Sequence, residues 1–426
     1  MTLLIFVGIL LTCIMLGIPI AFALMASGIS LMFWLGFTDP EIVIQNMWDG
    51  ANNFPLLAVP FFMLAGELMN HGGITQKIIN IAQVCVGHIR GGLGYVVIIT
   101  GVVLGALSGS AVADTAALTA MLLPLMRDAG YNPYRAGGLI GSSGIIATIL
   151  PPSIPMILYG VSGQVSITKL FMAGIVPGML MALSLILAWR FFGVKSENVA
   201  TSPRVPMKDR FKIIAEGIWA LILPVIIIGG LRFGVFSPTE AAVVAAVYSL
   251  LVGMFIYKKI KIKDLFQLML NSAKTTSIVM FLVCAASLSA WLITAANIPS
   301  QLIEILEPIM HNQTLLMITL ILLIMVISTA MDLTPTVLVL TPILIPVLKT
   351  AGIDPVYFGV LFIMCVSIGL LTPPVGAILN VVSSIGKISI EKLIVGVLPF
   401  ILAETIVLFL LILFPSIVMV PLNWFM

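Results

Sequence analysis

Apolar side chains run along this chain in stretches too long for the core of a soluble fold. Nearly unbroken hydrophobic segments cover residues 3–36, 54–70, 93–128, 137–162, 167–190, 215–231, 238–257, 268–296, 313–350, 355–382 and 393–418. A membrane-crossing helix needs about 20 such residues, so the pattern predicts an all-α polytopic membrane protein with roughly ten to twelve spans. Two of the runs are peculiar. As single helices, those at 93–128 and 313–350 would extend more than about 50 Å, far beyond a hydrocarbon layer of about 30 Å. Each is also interrupted at its middle by small and polar residues, SGSAVADT at 108–115 and STAMDLTPT at 328–336. Two half-depth arms meeting at a polar tip fit better, so both runs are expected to be re-entrant helical hairpins.

Positive charge then gives orientation. Ten of the twenty Lys and Arg residues fall in two loops, Arg190, Lys195, Arg204, Lys208, Arg210 and Lys212, then Lys258, Lys259, Lys261 and Lys263. Two spans separate these loops, so both face one side, which the positive-inside rule makes the cytoplasm. Counting outward, the first hairpin enters from the inside, flanked by His88, Arg90, Arg127 and Arg135. The second enters from the outside, flanked by Glu304, Glu307 and Asp354.

Composition removes several function classes. With 61% hydrophobic and 9% charged residues there is no room for a soluble catalytic domain, and no basic surface for nucleic acid. The four cysteines, Cys13, Cys85, Cys284 and Cys365, show no ligand or disulfide spacing. The N-terminus lacks the positive segment of a cleavable signal, so it is expected to remain as the first span. An intramembrane protease is also disfavoured. GSSG at 141–144 superficially resembles a rhomboid serine motif, but His71, His88 and His311 all fall at span ends or in loops, and neither Asp114 nor Asp332 has a GxGD context.

The chain repeats itself. At a constant offset of 222, Pro124 matches Pro346, Ala129-Gly130 matches Ala351-Gly352, Pro133 matches Pro355, and Pro151-Pro152 matches Pro373-Pro374. With the charge reading, the repeats have opposite topology. Corresponding Pro/Gly-interrupted segments in inverted halves point to the binding site of a secondary transporter. The expected division is 1–195 as the first repeat, 196–235 as a basic loop with a linking span, and 236–426 as the second repeat.

Each repeat carries two breaks, a hairpin tip and a double proline within a span. Proline removes a donor and disturbs the preceding turn, so carbonyls just upstream lose their helical partners. In hydrocarbon such groups persist only when buried in protein or lining a cavity. A small hard cation would satisfy them, with hydroxyls from Ser108, Ser110, Ser142, Ser143 and Thr148 in one repeat and Thr334, Thr336 and Thr372 in the other. The plainer alternative is a kinked helix whose carbonyls are satisfied by neighbouring Ser and Thr. Two breaks at one offset, each facing a polar tip, favour ion sites. Asp114 and Asp332 are the carboxylates deepest in apolar sequence, where ionisable groups are costly and usually functional. The offset pairs Asp332 with Ser110, so each tip wants an oxygen there, as an ion ligand or a helix cap. Thr334 and Pro335 read as N-cap and N1 of the second arm. Glu240 reads as a helix-start charge, and Trp34, Trp48, Trp219, Trp291 and Trp424 as interfacial anchors.

The segments PFFMLAGELMNHGG (60–73), GHIRGGLG (87–94), SGSAVADTAAL (108–118), AGYNPYRAGGL (129–139), ILPPSIPMILYG (149–160) and LTPPVG (371–376) resemble the large membrane subunit of TRAP (tripartite ATP-independent periplasmic) transporters, over essentially the whole chain. The wording looks closest to the sialic-acid branch. The resemblance implies a sodium-driven importer of the bacterial inner membrane with an elevator mechanism, two or more sodium ions, and a carboxylate substrate such as sialic acid. It also implies a periplasmic substrate-binding protein and a small four-helix membrane subunit, here a separate chain. Sodium sites in the family lie at the tips and before the double prolines. That carries over to Ser108, Ser110, Ser143, Gly144, Thr148 and Pro151, and to Asp332, Thr334, Gly369, Thr372 and Pro373. Ser110, Asp114, Asp332, Pro152 and Ser153 are the candidate substrate contacts. The competing readings are a stand-alone sodium/dicarboxylate symporter and a channel or scaffolding subunit.

Overall fold

The computed structural model describes residues 2–193 and 206–425, and every regular element among them is helical. The first half contains α1 (Thr2–Met15), α2 (Ile20–Trp34), α3 (Glu41–Ala51), α4 (Ala58–His71), α5 (Ile74–Val86), α6 (Gly92–Ser108), α7 (Ala111–Asp128), α8 (Pro133–Ile145), α9 (Ile154–Gly163) and α10 (Ile167–Ala188). The second contains α11 (Met207–Arg232), α12 (Pro238–Leu251), α13 (Ile262–Ala295), α14 (Ile298–Met310), α15 (Gln313–Ala330), α16 (Leu333–Thr350), α17 (Pro355–Gly369), α18 (Ala377–Gly386), α19 (Ile390–Leu413) and α20 (Ser416–Phe425). Lys195 and Arg204, counted above toward a basic loop, lie outside the described residues, as does the junction at residue 195.

Both long runs divide where the sequence expects. The first turns at Gly109 and Ser110 between α6 and α7, the second at Met331 and Asp332 between α15 and α16. The arms are 17 or 18 residues long, about 26 Å each. The arms are thus longer than the half-depth ones expected from the sequence. Gly109 has φ +63 and a Cβ there would meet the Pro152 carbonyl, so the first tip turns only with glycine.

The repeat extends through five helices. α7 and α16 correspond without any shift at the offset of 222, and α6, α8, α9 and α10 correspond to α15, α17, α18 and α19 within one to three residues. The two sets interlock: α7 packs on α18 and α16 on α9, while α8 packs on α19 and α10 on α17. Gly138 and Gly396 let α8 and α19 meet backbone to backbone.

Apart from α20, which packs on α10, the remaining helices form a wall beside this interlocked body. α13 packs against α2, α3 and α4, α4 against α12, and α5 against α11, while α13 also touches α16. α11 buries only Gly217, Ala220, Leu223, Ile227 and Leu231, a single stripe at helical spacing that leaves the rest of its surface for lipid. Three helices, α3, α5 and α14, fall outside the apolar runs because polar residues interrupt them. Of these, α3 buries no residue and α14 only Ile298 and Pro299, the pattern of helices lying at a membrane surface. Glu240 closes a capping box with Ser237, accepting from its backbone N–H at 2.8 Å, as a helix-start charge should.

Candidate functional site

The two tips are built alike. Ser110 is the N-cap of α7 and accepts from the Ala113 N–H at 3.4 Å. Asp332, its mate at the offset, is the N-cap of α16 and accepts from the Leu333 N–H at 2.9 Å. The sequence-based cap at Thr334 with Pro335 at N1 is therefore corrected: a carboxylate in extended backbone starts the helix two residues earlier. Behind the first tip, Ser108 Oγ donates to Asp114 Oδ1 at 2.6 Å and accepts from the Ser110 N–H at 3.1 Å. Asp114 is only 2% exposed and braces the turn from within the hairpin.

The proline breaks lie beside the tips. α8 gives way to one 3-10 turn at Ile146–Thr148, and the Pro151–Pro152 and Pro373–Pro374 peptide bonds are both cis. Ser153 Oγ donates to the Thr148 carbonyl at 2.5 Å and caps α9 through the Met156 N–H. Thr148 Oγ1 lies 2.6 Å from Ser367 Oγ, so one hydroxyl pair ties the two broken helices together. Ser367 was not a sequence-level candidate, since it stands at a spacing of 219 from Thr148 and the repeat register does not reveal it.

A cavity of about 100 Å³ opens where these parts converge, and Ser110, Thr148, Asp332 and Thr334 all line it, with Met63 and Val279 on the opposite wall. It has neighbours on either side. A cavity of about 70 Å³ is lined by Glu67, Asn70, Ser108, Ser110, Ser272 and Thr275. One of about 240 Å³ is lined by Asn46, Asp49, Asn53, Ser162 and Ser287 among others. Along α13 the three follow in order, touching Ser272 and Thr275, then Val279, then Val283 to Ala290. From residue 272 to 290 is about 27 Å of helix, close to the thickness of the hydrocarbon layer. A chain of cavities thus follows the seam between the wall and the interlocked body, with both tips at its centre.

The profile of the family described as tripartite ATP-independent periplasmic transporter, DctM component, matches residues 7–417. The chain belongs to the TRAP large permeases. It is 49% identical over 424 residues to the 2,3-diketo-L-gulonate TRAP transporter large permease protein YiaN of Escherichia coli, and equally so to a putative TRAP large permease of Haemophilus influenzae, with 100% of both chains covered in each case. The sialic acid TRAP large permease SiaM of Vibrio cholerae is 38% identical over 400 residues, covering 94% of this chain and 93% of that one. The sialic-acid branch is therefore further from this chain than the diketogulonate permease. Among solved structures, the Alcanivorax borkumensis YdaH transporter superposes with a TM-score of 0.62 at 15% identity, covering 87% and 86% of the two chains, which speaks for the fold alone. The permease is a multi-pass transporter protein of the bacterial inner membrane, not an enzyme, and large permeases of this family work with a small membrane subunit and a periplasmic binding protein.

Other candidate residues of the permease sit around the tip cavity without lining it. Ser143 Oγ donates to the Val97 carbonyl at 3.1 Å, Gly144 packs against Thr115, and Gly369 against Ser328. Pro151, Pro152 and Ser153 are buried, whereas Pro373 is exposed and Thr372 Oγ1 returns to the Ile368 carbonyl at 3.1 Å. Asp114, Pro152 and Ser153, candidates for substrate contact, are thus held inside the protein. Asp114 Oδ2 and the hydroxyls of Thr100, Thr115 and Ser142 are buried without a hydrogen-bond partner among the described residues. Glu404, in the middle of α19, was missed altogether. It is fully buried, and neither carboxyl oxygen has a hydrogen-bond partner among the described residues. The signal was present as the one acid of α19 beyond its first turn, where Glu391 and Lys392 stand.

Proposed function

We propose that this permease is the membrane engine of a sodium-coupled importer whose substrate is a carboxylate. The row of cavities along α13, centred on the tips, carries the reading. Ser110, Thr148 and Thr334 offer hydroxyl oxygens to the central cavity, and its only charged lining residue is Asp332. A bare carboxylate would meet like charge there, and no Lys or Arg lines the cavity to offset it. Cations bound at the tips reverse that sign, which makes sodium a condition for the anion to bind. The buried, partnerless oxygens of Asp114, Thr115 and Ser142 supply further hard ligands behind the first tip. A second set comes from Thr372 and Asp332.

The moving part in this reading is the interlocked body of hairpins and broken helices, sliding as an elevator along α13. The repeats are 1–195 and 236–426, joined by 196–235, with the basic loops inside. The preferred substrate class is a sugar acid. Diketogulonate-like anions come first and sialic acid second, following identities of 49% and 38% to the respective permeases. Capture falls to a periplasmic binding protein, and the small membrane subunit completes the wall.

The test is reconstitution. The permease with its small subunit, in liposomes under an inward sodium gradient and supplied with loaded binding protein, should take up the sugar acid. Omitting either partner or collapsing the gradient should abolish uptake. Robust uptake by the isolated chain would instead make it a stand-alone symporter.

A further inference from the structure

The largest cavity described, about 370 Å³, lies away from the transport seam, between α5, α11 and the π-helical turn Val252–Ile256 that ends the α12 span. Its walls are fixed by polar contacts between these elements. Lys77 Nζ on α5 meets Glu216 Oε2 on α11 at 2.7 Å, Tyr257 donates to the Glu216 carbonyl at 3.0 Å, and Tyr248 donates to the Trp219 carbonyl at 2.8 Å. Lys77 also sits 5.8 Å from the Tyr257 ring centre.

The rim carries surplus positive charge. Glu216 is already engaged by Lys77, Lys212 stands one helical turn before it, and Lys259 lines the cavity with no ion pair among the described residues. The indole N–H of Trp219, also lining, has no hydrogen-bond partner among them either. One side of the cavity is apolar, formed by Trp219, Ile256 and Tyr257, and their chain neighbours Ile218 and Phe255 are exposed. The site lies where the α12 span ends at the lysine-rich loop of Lys258, Lys259, Lys261 and Lys263, and a span end beside clustered lysines is at headgroup level.

We infer that this cavity is a binding site for an anionic phospholipid, its headgroup phosphate at Lys259 and Trp219 and its acyl chains along the exposed apolar surface beside them. Basic pockets between spans at a membrane face suit such headgroups, and an aromatic ring with a polar edge suits the same depth. A soluble phosphate would use the cation but leave the apolar surface bare, so the lipid is the occupant that fits both halves.

The test uses the full chain purified in mild detergent, with native mass spectrometry counting retained lipid. Phosphatidylglycerol should be retained at least about fivefold more than phosphatidylcholine, and Lys259→Ala should lower that retention about fivefold, the scale of one surface cation. Lys259 is exposed, so the variant should fold, and Lys349→Ala at a distant exposed site serves as a control with unchanged retention. Three results would overturn the site. They are equal retention of the two lipids, undiminished retention in Lys259→Ala, and displacement of phosphatidylglycerol by equimolar inorganic phosphate, which would mark a free-anion site.

Discussion

Gly369 offers a sharp test of whether hairpin and broken helix form one unit. The residue ends α17, where it faces Ser328 on the first arm of the second hairpin. A Cβ at 369 would stand 2.5 Å from Ser328 Cβ and 3.0 Å from its carbonyl oxygen, short of ordinary contact at 3.4 Å by about 0.9 Å for the carbon pair. Ser328 Oγ can rotate away from its bond to the Met325 carbonyl, but Cβ and the backbone cannot, so the helices must part. Overpacking of this kind costs about 1–3 kcal/mol, or roughly 1–3 °C in melting temperature for a protein of this size. Thermal unfolding of Gly369→Ala, Ser328→Gly, Ser328→Ala and the two double variants separates the terms. Ser328→Gly should rescue Gly369→Ala with a coupling of about 1–3 kcal/mol after subtracting its own helix cost of about 1 kcal/mol. Ser328→Ala, which keeps Cβ, should not. A wild-type melting temperature for Gly369→Ala, or equal rescue by alanine, would refute the close approach.

Three other expectations follow from the same geometry. Replacing Ser110 or Asp332 with alanine should raise the sodium concentration for half-maximal uptake about tenfold or more, the scale of one lost charge-assisted contact; unchanged sodium dependence in both would leave these residues as helix caps only. Glu404→Leu should stabilise the permease by about 1–3 kcal/mol, because two buried oxygens without partners disappear, and a large fall in melting temperature would reveal a ligand or contact that the carboxyl serves. Single cysteines at Lys261 and Asn312, in a background without the native four, should react from opposite sides of the membrane; modification of both from one side would sink the inverted topology.

What was legible in the sequence was whatever leaves an uninterrupted or repeated trace. The hairpins showed because their runs were too long for one span and had polar centres, and the proline breaks because double prolines recur at one offset. The helices α3 and α14 were not legible, since surface helices need no long apolar run. Nor was Ser367, whose partner Thr148 lies in the other repeat across a contact that no linear register encodes. Glu404 was overlooked for a different reason. It lies in an unbroken stretch of α19 with no polar tip or proline break beside it, and its mate at the repeat offset is Ala182.

The repeat is symmetric in its helices but not in its burial, and the difference can be traced to individual residues. Pro151, Pro152 and Ser153 are buried, while Pro373, Pro374 and Val375 at the same offset are exposed. In the first break Ser153 returns its hydroxyl to the Thr148 carbonyl and Thr148 reaches Ser367; at those positions the second repeat has Val375 and Leu370, which can do neither. The covering helices differ as well. Gly174 and Gly178 let α10 lie directly on Ile149 and Leu150. In α19 the offset places Gly396 and Phe400 instead, and Phe400 turns to stack on Trp189 at 6.4 Å while Gly396 meets the Tyr134 carbonyl. The closing span of the second repeat therefore packs on the start of α8 and leaves its own break uncovered. Two halves with one architecture thus carry one buried break and one exposed break, because three differences between the repeats, Thr148 against Leu370, Ser153 against Val375 and Gly178 against Phe400, decide which carbonyls are covered.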